Sequence, residues 1–194
     1  MKIGVTGGIG SGKSYIVEVF RALGARVYLA DRRAKELICQ PEVKSKIIAS
    51  FGPESFSNDT YNIAYISKIV FEDRSKLDLL NSIIHPAVFA DFDLFCKENI
   101  HSIIVYESAL MVETKHTYLF DRIILVTAPL ELRIERVMNR DQITREEVLK
   151  RMALQSSDSE KMVFADFVIE NTEKEKTKSA IEQIWNSNFD IKES

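Results

Sequence analysis

One octapeptide restricts this chain more than any other feature. Gly7-Gly8-Ile9-Gly10-Ser11-Gly12-Lys13-Ser14 satisfies G-x-x-x-x-G-K-[ST] at every fixed position. Glycines there let successive backbone N–H groups turn toward an anion, and a helix starting at the end of the run adds its positive end. Lys13 is then placed to reach the β- and γ-phosphates of a nucleotide, and the Ser14 hydroxyl to ligate Mg²⁺. At average glycine usage the fixed positions would coincide by chance in roughly one chain of this length in 150. The flanking residues supply the context that the motif requires. Lys2 to Val5 reads as a strand, and Ile16, Val17, Phe20 and Leu23 then recur at helical spacing until Gly24, a helix-stop residue. Arg26 to Leu29 reads as a second strand. Strand, phosphate loop, helix and strand in this order form the βαβ unit of a parallel sheet.

The remaining sequence alternates with this opening. From about Ala34 to Glu98 the pattern is mostly helical, with Phe51-Gly52-Pro53 as a turn. Leu77, Leu80, Ile83 and Ile84 share one face, Pro86 should break that run, and Val88, Phe89, Phe92 and Phe95 resume it. This stretch reads as a helical insertion between two strands. Ser102 to Tyr106 and Arg122 to Val126 return to the strand pattern. Pro129 suits the first turn of a helix ending near Met138, and Thr144 with Glu147 has the spacing of a capping box. Phe167 to Ile169 is the fifth strand, and an amphipathic helix with Ile181 and Ile184 follows. The expected architecture is α/β, with a parallel sheet of about five strands in a single domain. The polar tail after Trp185 should fray.

Composition removes several function classes. The chain has 194 residues and a formal net charge of −3, which gives no electrostatic reason to expect nucleic acid or an anionic membrane as partner. Its apolar runs are short against the roughly 20 residues of a membrane span. The N-terminus lacks the apolar stretch of a signal peptide. Cys39 and Cys96 stand without metal-ligand spacing and are expected as buried, reduced thiols of a cytoplasmic protein, a monomer or weak homo-oligomer.

Four groups beyond the loop carry candidate chemistry. Asp31 closes Val27-Tyr28-Leu29-Ala30-Asp31, at the carboxyl end of the second strand, where ligands of open parallel sheets bind. Its carboxylate either accepts a hydroxyl proton facing the γ-phosphate or caps a helix beginning near Arg32. Glu107, after the strand Ile103 to Tyr106, is either an acid of the metal's shell, acting through water, or a solvated loop acid. Arg133, Arg136 and Arg140 form one helical stripe, while Leu130, Ile134, Val137 and Met138 form another that should be buried. Together with Arg145 and Arg151, these arginines are either a solvated face or a lid over the nucleotide at about residues 133–151, with Arg140 foremost. His85, beside Pro86, is either structural or a ligand-binding residue.

In their order and spacing these segments resemble the dephospho-CoA kinase family. Val5 to Ser14 looks like the family's opening, and Ala30-Asp31 its second strand. Phe51-Gly52, Val70-Phe71 and His85-Pro86 recur in its order, and Glu107-Ser108-Ala109-Leu110-Met111-Val112-Glu113 is similar to its third-strand segment. Arg136-Val137-Met138-Asn139-Arg140-Asp141 resembles its lid, Arg151 to Gln155 the sequel, and Asp166 to Asn171 its last strand and turn. The likeness spans about residues 1–171. It implies a three-layer P-loop kinase fold, a helical substrate-binding insertion over about residues 34–98 and an Arg-rich lid. It also implies ATP and dephospho-CoA as substrates, with Mg²⁺, and transfer of the γ-phosphoryl to the ribose 3′-hydroxyl to give CoA and ADP.

Carried over by residue, Asp31 is the implied base, and Lys13 and Arg140 bind phosphate. Gly8, Ile9, Gly10, Ser11, Gly12, Lys13, Ser14 and Tyr15 surround ATP, joined by Arg136 and Asn171. Asp31, His85, Leu110 and Glu113 face the acceptor. The chain departs from the pattern at Tyr15, where Thr is usual, at Leu29, the first Asp of the common D-A-D, at Ala109, a frequent Pro, and at Ile63, where Arg is expected. The alternatives are another P-loop nucleoside or small-molecule kinase, or a nucleotide-dependent switch; the latter finds no N-K-x-D in the chain.

Overall fold

The computed structural model describes residues 1–189. Along the chain run β1 (Lys2–Thr6), α1 (Lys13–Ala22), β2 (Arg26–Leu29), α2 (Ala30–Ile38), α3 (Pro41–Phe51), β3 (Phe56–Ser57), β4 (Thr60–Tyr61), α4 (Ile63–Glu72), α5 (Arg74–Glu98), β5 (Ile104–Glu107), β6 (Arg122–Thr127), α6 (Leu130–Asp141), α7 (Arg145–Met152), α8 (Asp158–Met162), β7 (Phe167–Glu170) and α9 (Lys174–Asn188). They form two compact units, one of Met1–Leu29 with Asn99 onward, the other of Ala30–Glu98.

The first unit is built on a five-stranded sheet in the order β2-β5-β1-β6-β7. Every pairing in it is parallel. Parallel sheets are covered on both faces, which is why β5 is buried along its whole length and β6 reads as a nearly continuous apolar run. On one face Ile3, Val5, Val105, Ile124 and Val126 meet Ile16 and Phe20 of α1 and Ile181 of α9. On the other, the segment after β5 lies so close to β1 that a Cβ on Gly4 would stand 2.7 Å from Met111 Sδ. Tyr28 stacks on Tyr106 across that face with ring centroids 5.4 Å apart, and Phe120 packs tilted against Tyr106 at 5.1 Å. β1 has β5 on one side and β6 on the other, so the strand order reverses at its carboxyl end, where ligands of such sheets bind. The phosphate loop leaves β1 at that point.

Helix ends in this unit follow local chemistry. Gly24 has φ +102° with no atom within 4 Å of a built Cβ, so the backbone conformation alone demands glycine there. Thr144 and Glu147 make both arms of a capping box. Two expectations are corrected. Leu130 and Met138 are 53% and 36% exposed, and only Ile134 and Val137 of that stripe are buried, because α6 packs one narrow face on Val148 of α7. Pro129 is the N-cap of α6, just before its first turn, and the helix extends to Asp141. The fraying expected after Trp185 does not extend to Asn188, which ends α9; the rest of that expectation, at 190–194, lies outside the described residues.

The second unit packs α2 to α5 around Ile38, Val43, Ile47, Phe51, Ile66 and Leu80. Between α3 and α4 stands a small antiparallel hairpin, β3 with β4, that the helical pattern of this stretch did not suggest. Its turn residues Asn58 and Asp59 have φ of 47° and 63°, the left-handed pair that a two-residue hairpin needs. Asn62 then caps α4 by accepting the Tyr65 N–H at 3.1 Å. Pro86 does not break its helix: α5 runs unbroken for 25 residues. The proline removes one ladder hydrogen bond. Tertiary packing overrides that local loss, since Ile83, Ile84 and Ala87 join the core and Val88 and Phe92 are buried beyond it. Arg33 of α2 grips Asp91 of α5 with two guanidinium nitrogens. Among the described residues α5 is also the one helix long and apolar enough to cross a membrane, which the interrupted apolar runs had not suggested. Here it packs against α2, α3 and α4. Cys39, expected to be buried, is exposed just past the end of α2, and Cys96 is half-buried.

Candidate active site

The phosphate loop closes on its own strand. Lys13 opens α1, its ammonium donating to the Gly7 carbonyl at 2.9 Å and standing 3.8 Å from Glu107 Oε1. Both residues are 9% exposed, so charge is concentrated where little water screens it. Ser14 follows on the exposed side of the first turn. Gly10 and Gly12 have φ of 80° and 90°. Neither tolerates a side chain: a Cβ on Gly10 would approach the Arg133 carbonyl to 2.4 Å, and one on Gly12 would approach Asn171 Nδ2 to 2.0 Å.

The loop's carbonyls are held from outside. Arg133 Nε donates to Ile9 O at 3.0 Å, Arg136 Nη1 reaches Gly10 O and Ser11 O at 3.4 Å each, and Asn171 Nδ2 donates to Ser11 O at 2.9 Å. Arg136 also donates to Asn171 O at 3.0 Å, and the Thr177 hydroxyl to Asn171 Oδ1 at 3.2 Å. In a trans peptide the N–H points opposite to the C=O. Fixing the Ile9 and Ser11 carbonyls therefore turns the Gly10 and Gly12 N–H groups the other way, as an anion cradle requires. Arg136 and Asn171, expected on ATP, are thus engaged with the loop itself. Arg133, expected only as part of the arginine stripe of the lid, holds the loop as well. Its only sequence signal was the helical spacing it shares with Arg136.

Arg140, the third of that stripe, is exposed. It forks onto the next residue, Asp141, with contacts of 2.7 and 3.0 Å, and Arg151 adds a third at 2.9 Å. The Arg140 hydrogen bonds, with the nearby charges of Arg140 and Arg151, hold the Asp141 carboxyl below the usual carboxylate range. An acid thus occupies the planar fork of Arg140. Arg140→Lys will keep the charge and lose the planar two-point grip. We expect kcat at saturating ATP to fall about tenfold, partial loss of one charge-stabilising donor. Wild-type kinetics in the variant would make Arg140 an ordinary surface residue.

The residues expected on the acceptor side divide. Glu107 is the last residue of β5 itself, buried rather than in a solvated loop. Leu110 is half-buried in the following turn, its N–H donating to Ser108 Oγ. Glu113 Oε1 accepts the Ser156 N–H at 2.7 Å and lies 3.0 Å from the ammonium of Lys161, a fully buried residue that also donates to Ala109 O at 2.8 Å. The pair answers the need of a buried ammonium for a counter-charge. Asp31 and His85 belong to the second unit. α2 begins at Ala30, so Asp31 is neither a strand end nor an N-cap but a first-turn acid, favoured there by the helix dipole. His85 meets the Phe89 ring edge-on at 6.5 Å within α5. Tyr15 ties α1 to α9 through its hydroxyl, which donates to Lys174 O at 3.0 Å.

Among the described residues no cluster of three or more His, Cys, Asp or Glu side chains forms a metal cage. Mg²⁺ beside nucleotide phosphates does not require one, since it keeps waters and takes one or two protein oxygens. The Ser14 hydroxyl and the Glu107 carboxylate are hard-oxygen donors of that kind.

The family described as dephospho-CoA kinase matches residues 1–177. The dephospho-CoA kinase of Bacteroides fragilis (strain YCH46) is 36% identical over 173 residues, covering 88% of this chain and 84% of that protein. The crystal structure of TT1252 from Thermus thermophilus is similar with a TM-score of 0.87 and 29% identity, covering 97% of each chain. The dephospho-CoA kinase from Campylobacter jejuni shares the fold, with a TM-score of 0.68 and 24% identity over 97% of this chain and all 100% of that one.

Proposed function

The chain belongs to the dephospho-CoA kinase family, and from that membership we propose that it transfers the γ-phosphoryl of ATP to the ribose 3′-hydroxyl of dephospho-CoA, giving CoA and ADP. One observation carries the choice of acceptor: the family match takes in the whole Ala30–Glu98 unit as well as the phosphate loop. That unit is the proposed CoA-binding part. A long acceptor can spend its remote contacts on orienting the hydroxyl at the reacting end.

In the proposed mechanism a bond forms between the 3′-oxygen and the γ-phosphorus as the bond to the β,γ-bridging oxygen breaks. Asp31 takes the hydroxyl proton. Its chain position supports this role, because Leu29, the register partner of Glu107, precedes it by two residues. Lys13 and the inward N–H groups of Gly10 and Gly12 hold the charge on the transferring and leaving oxygens. Ser14, and Glu107 through water, would hold Mg²⁺, which neutralises phosphate charge when bound. Arg140, released from Asp141, would close on the polyphosphate. A cytoplasmic location is part of the same proposal.

The test is ADP release with dephospho-CoA, AMP, adenosine and shikimate as acceptors. We expect kcat/KM for dephospho-CoA to exceed the others by about 10² or more, with truncation lowering kcat as well as affinity. Equal efficiency on AMP would leave only the P-loop kinase core.

A further inference from the structure

The phosphate loop is held at one more point, by a residue to which neither the motif nor the mechanism assigns a role. The Ile9 N–H donates to Gln155 Oε1 at 2.8 Å, across 146 residues of sequence. The Ile9 carbonyl takes Arg133 Nε at 3.0 Å, and the same guanidinium pairs with Asp158, three residues beyond Gln155, at 3.2 Å. The two peptide planes that meet at Ile9 are therefore each fixed, and both lead to the segment from Gln155 to Asp158.

That segment is itself well anchored. The Gln155 N–H donates to Met152 O at 3.0 Å in the turn closing α7, and the next residue, Ser156, gives its N–H to Glu113. The Gly8–Ile9 peptide is oriented opposite to its neighbours: its carbonyl accepts the Ser11 N–H at 3.1 Å, and its N–H faces out toward Gln155. Without an outer acceptor this peptide could rotate, and Gly8 offers little steric resistance to rotation. Rotation would break the Ser11 contact that closes the loop.

We propose that Gln155 is a positioning residue for the phosphate loop, its side-chain carbonyl fixing the Gly8–Ile9 peptide so that the cradle is formed before nucleotide arrives. Glutamine suits this position because its amide oxygen is a neutral acceptor, whereas a carboxylate would add negative charge beside a polyphosphate site. A loop ordered in advance spares the nucleotide an ordering cost on binding.

The proposal rests on the phosphate-loop reading, so its test avoids the acceptor. The full chain is compared with Gln155→Ala and Gln155→Glu by amide hydrogen exchange at Ile9 and by calorimetric binding of MgATP. We expect Gln155→Ala to speed Ile9 exchange, leave β1 and β6 amides protected, and weaken MgATP binding about tenfold. Gln155→Glu keeps an acceptor oxygen at the same reach and should restore the Ile9 protection. Wild-type MgATP affinity in Gln155→Ala, unchanged Ile9 exchange, or no recovery of protection in Gln155→Glu would each overturn the assignment. Inactivity of the wild-type protein on dephospho-CoA would instead count against the acceptor reading alone.

Discussion

Replacing Lys13 by methionine will lower turnover by about 10²–10³, the usual cost of losing one preorganised charge-stabilising donor. Lys13 is 9% exposed, its ammonium held by the Gly7 carbonyl at 2.9 Å and 3.8 Å from Glu107. It is thus fixed before substrate arrives and little reorganisation is left for the moment of reaction. The same burial gives the substitution a second effect, because Glu107 loses a close cation in a poorly solvated place. Breaking a buried pair costs up to about 3–5 kcal/mol, so the melting temperature should fall as well. The double variant Lys13→Met/Glu107→Gln separates the two effects. It should recover much of the stability and none of the activity. A folded Lys13→Met protein with more than about a tenth of wild-type turnover would exclude the assigned role.

Asp31→Asn is expected to lower kcat by about 10²–10⁴ while leaving ATP affinity nearly unchanged, if Asp31 is the general base. A loose transition state needs little deprotonation early and would place the loss at the lower end. Asp31 lies in the first turn of α2, after a helix start at Ala30. Its charge near the helix N-terminus contributes at most about 1 kcal/mol when exposed. A small drop in melting temperature with a large drop in kcat identifies the base. A kcat within about threefold of wild type means that Asp31 is not the general base.

The parts legible in the sequence were those fixed by local chemistry. The phosphate loop, the apolar strands β1, β5 and β6, the stop at Gly24 and the capping box at Thr144 each depend on residues within one turn or one strand. The hairpin at Asn58-Asp59 carries a local signal too, two residues tolerant of positive φ between short strands, but the helical pattern around it masks that signal. Pro86 misled for the opposite reason: its local penalty is outweighed by packing that only the folded unit supplies. The site was legible in its loop and not in its supports. Arg133 and Gln155 reach Ile9 across 124 and 146 residues, and Lys161 reaches Ala109 across 52. Helical spacing groups Arg133 with Arg136, but nothing local names the partners in these contacts. Nor does the chain position of Glu113 hint at the buried ammonium of Lys161 beside it.

The central claim, 3′-phosphorylation of dephospho-CoA, meets its most direct test in the product. Dephospho-CoA and MgATP would be turned over by the purified chain and the new phosphate located by phosphorus NMR. The account predicts a single new phosphomonoester on the ribose 3′-oxygen, formed in step with ADP. A phosphate on any other oxygen, or ADP formed with no phosphorylated acceptor, would contradict it.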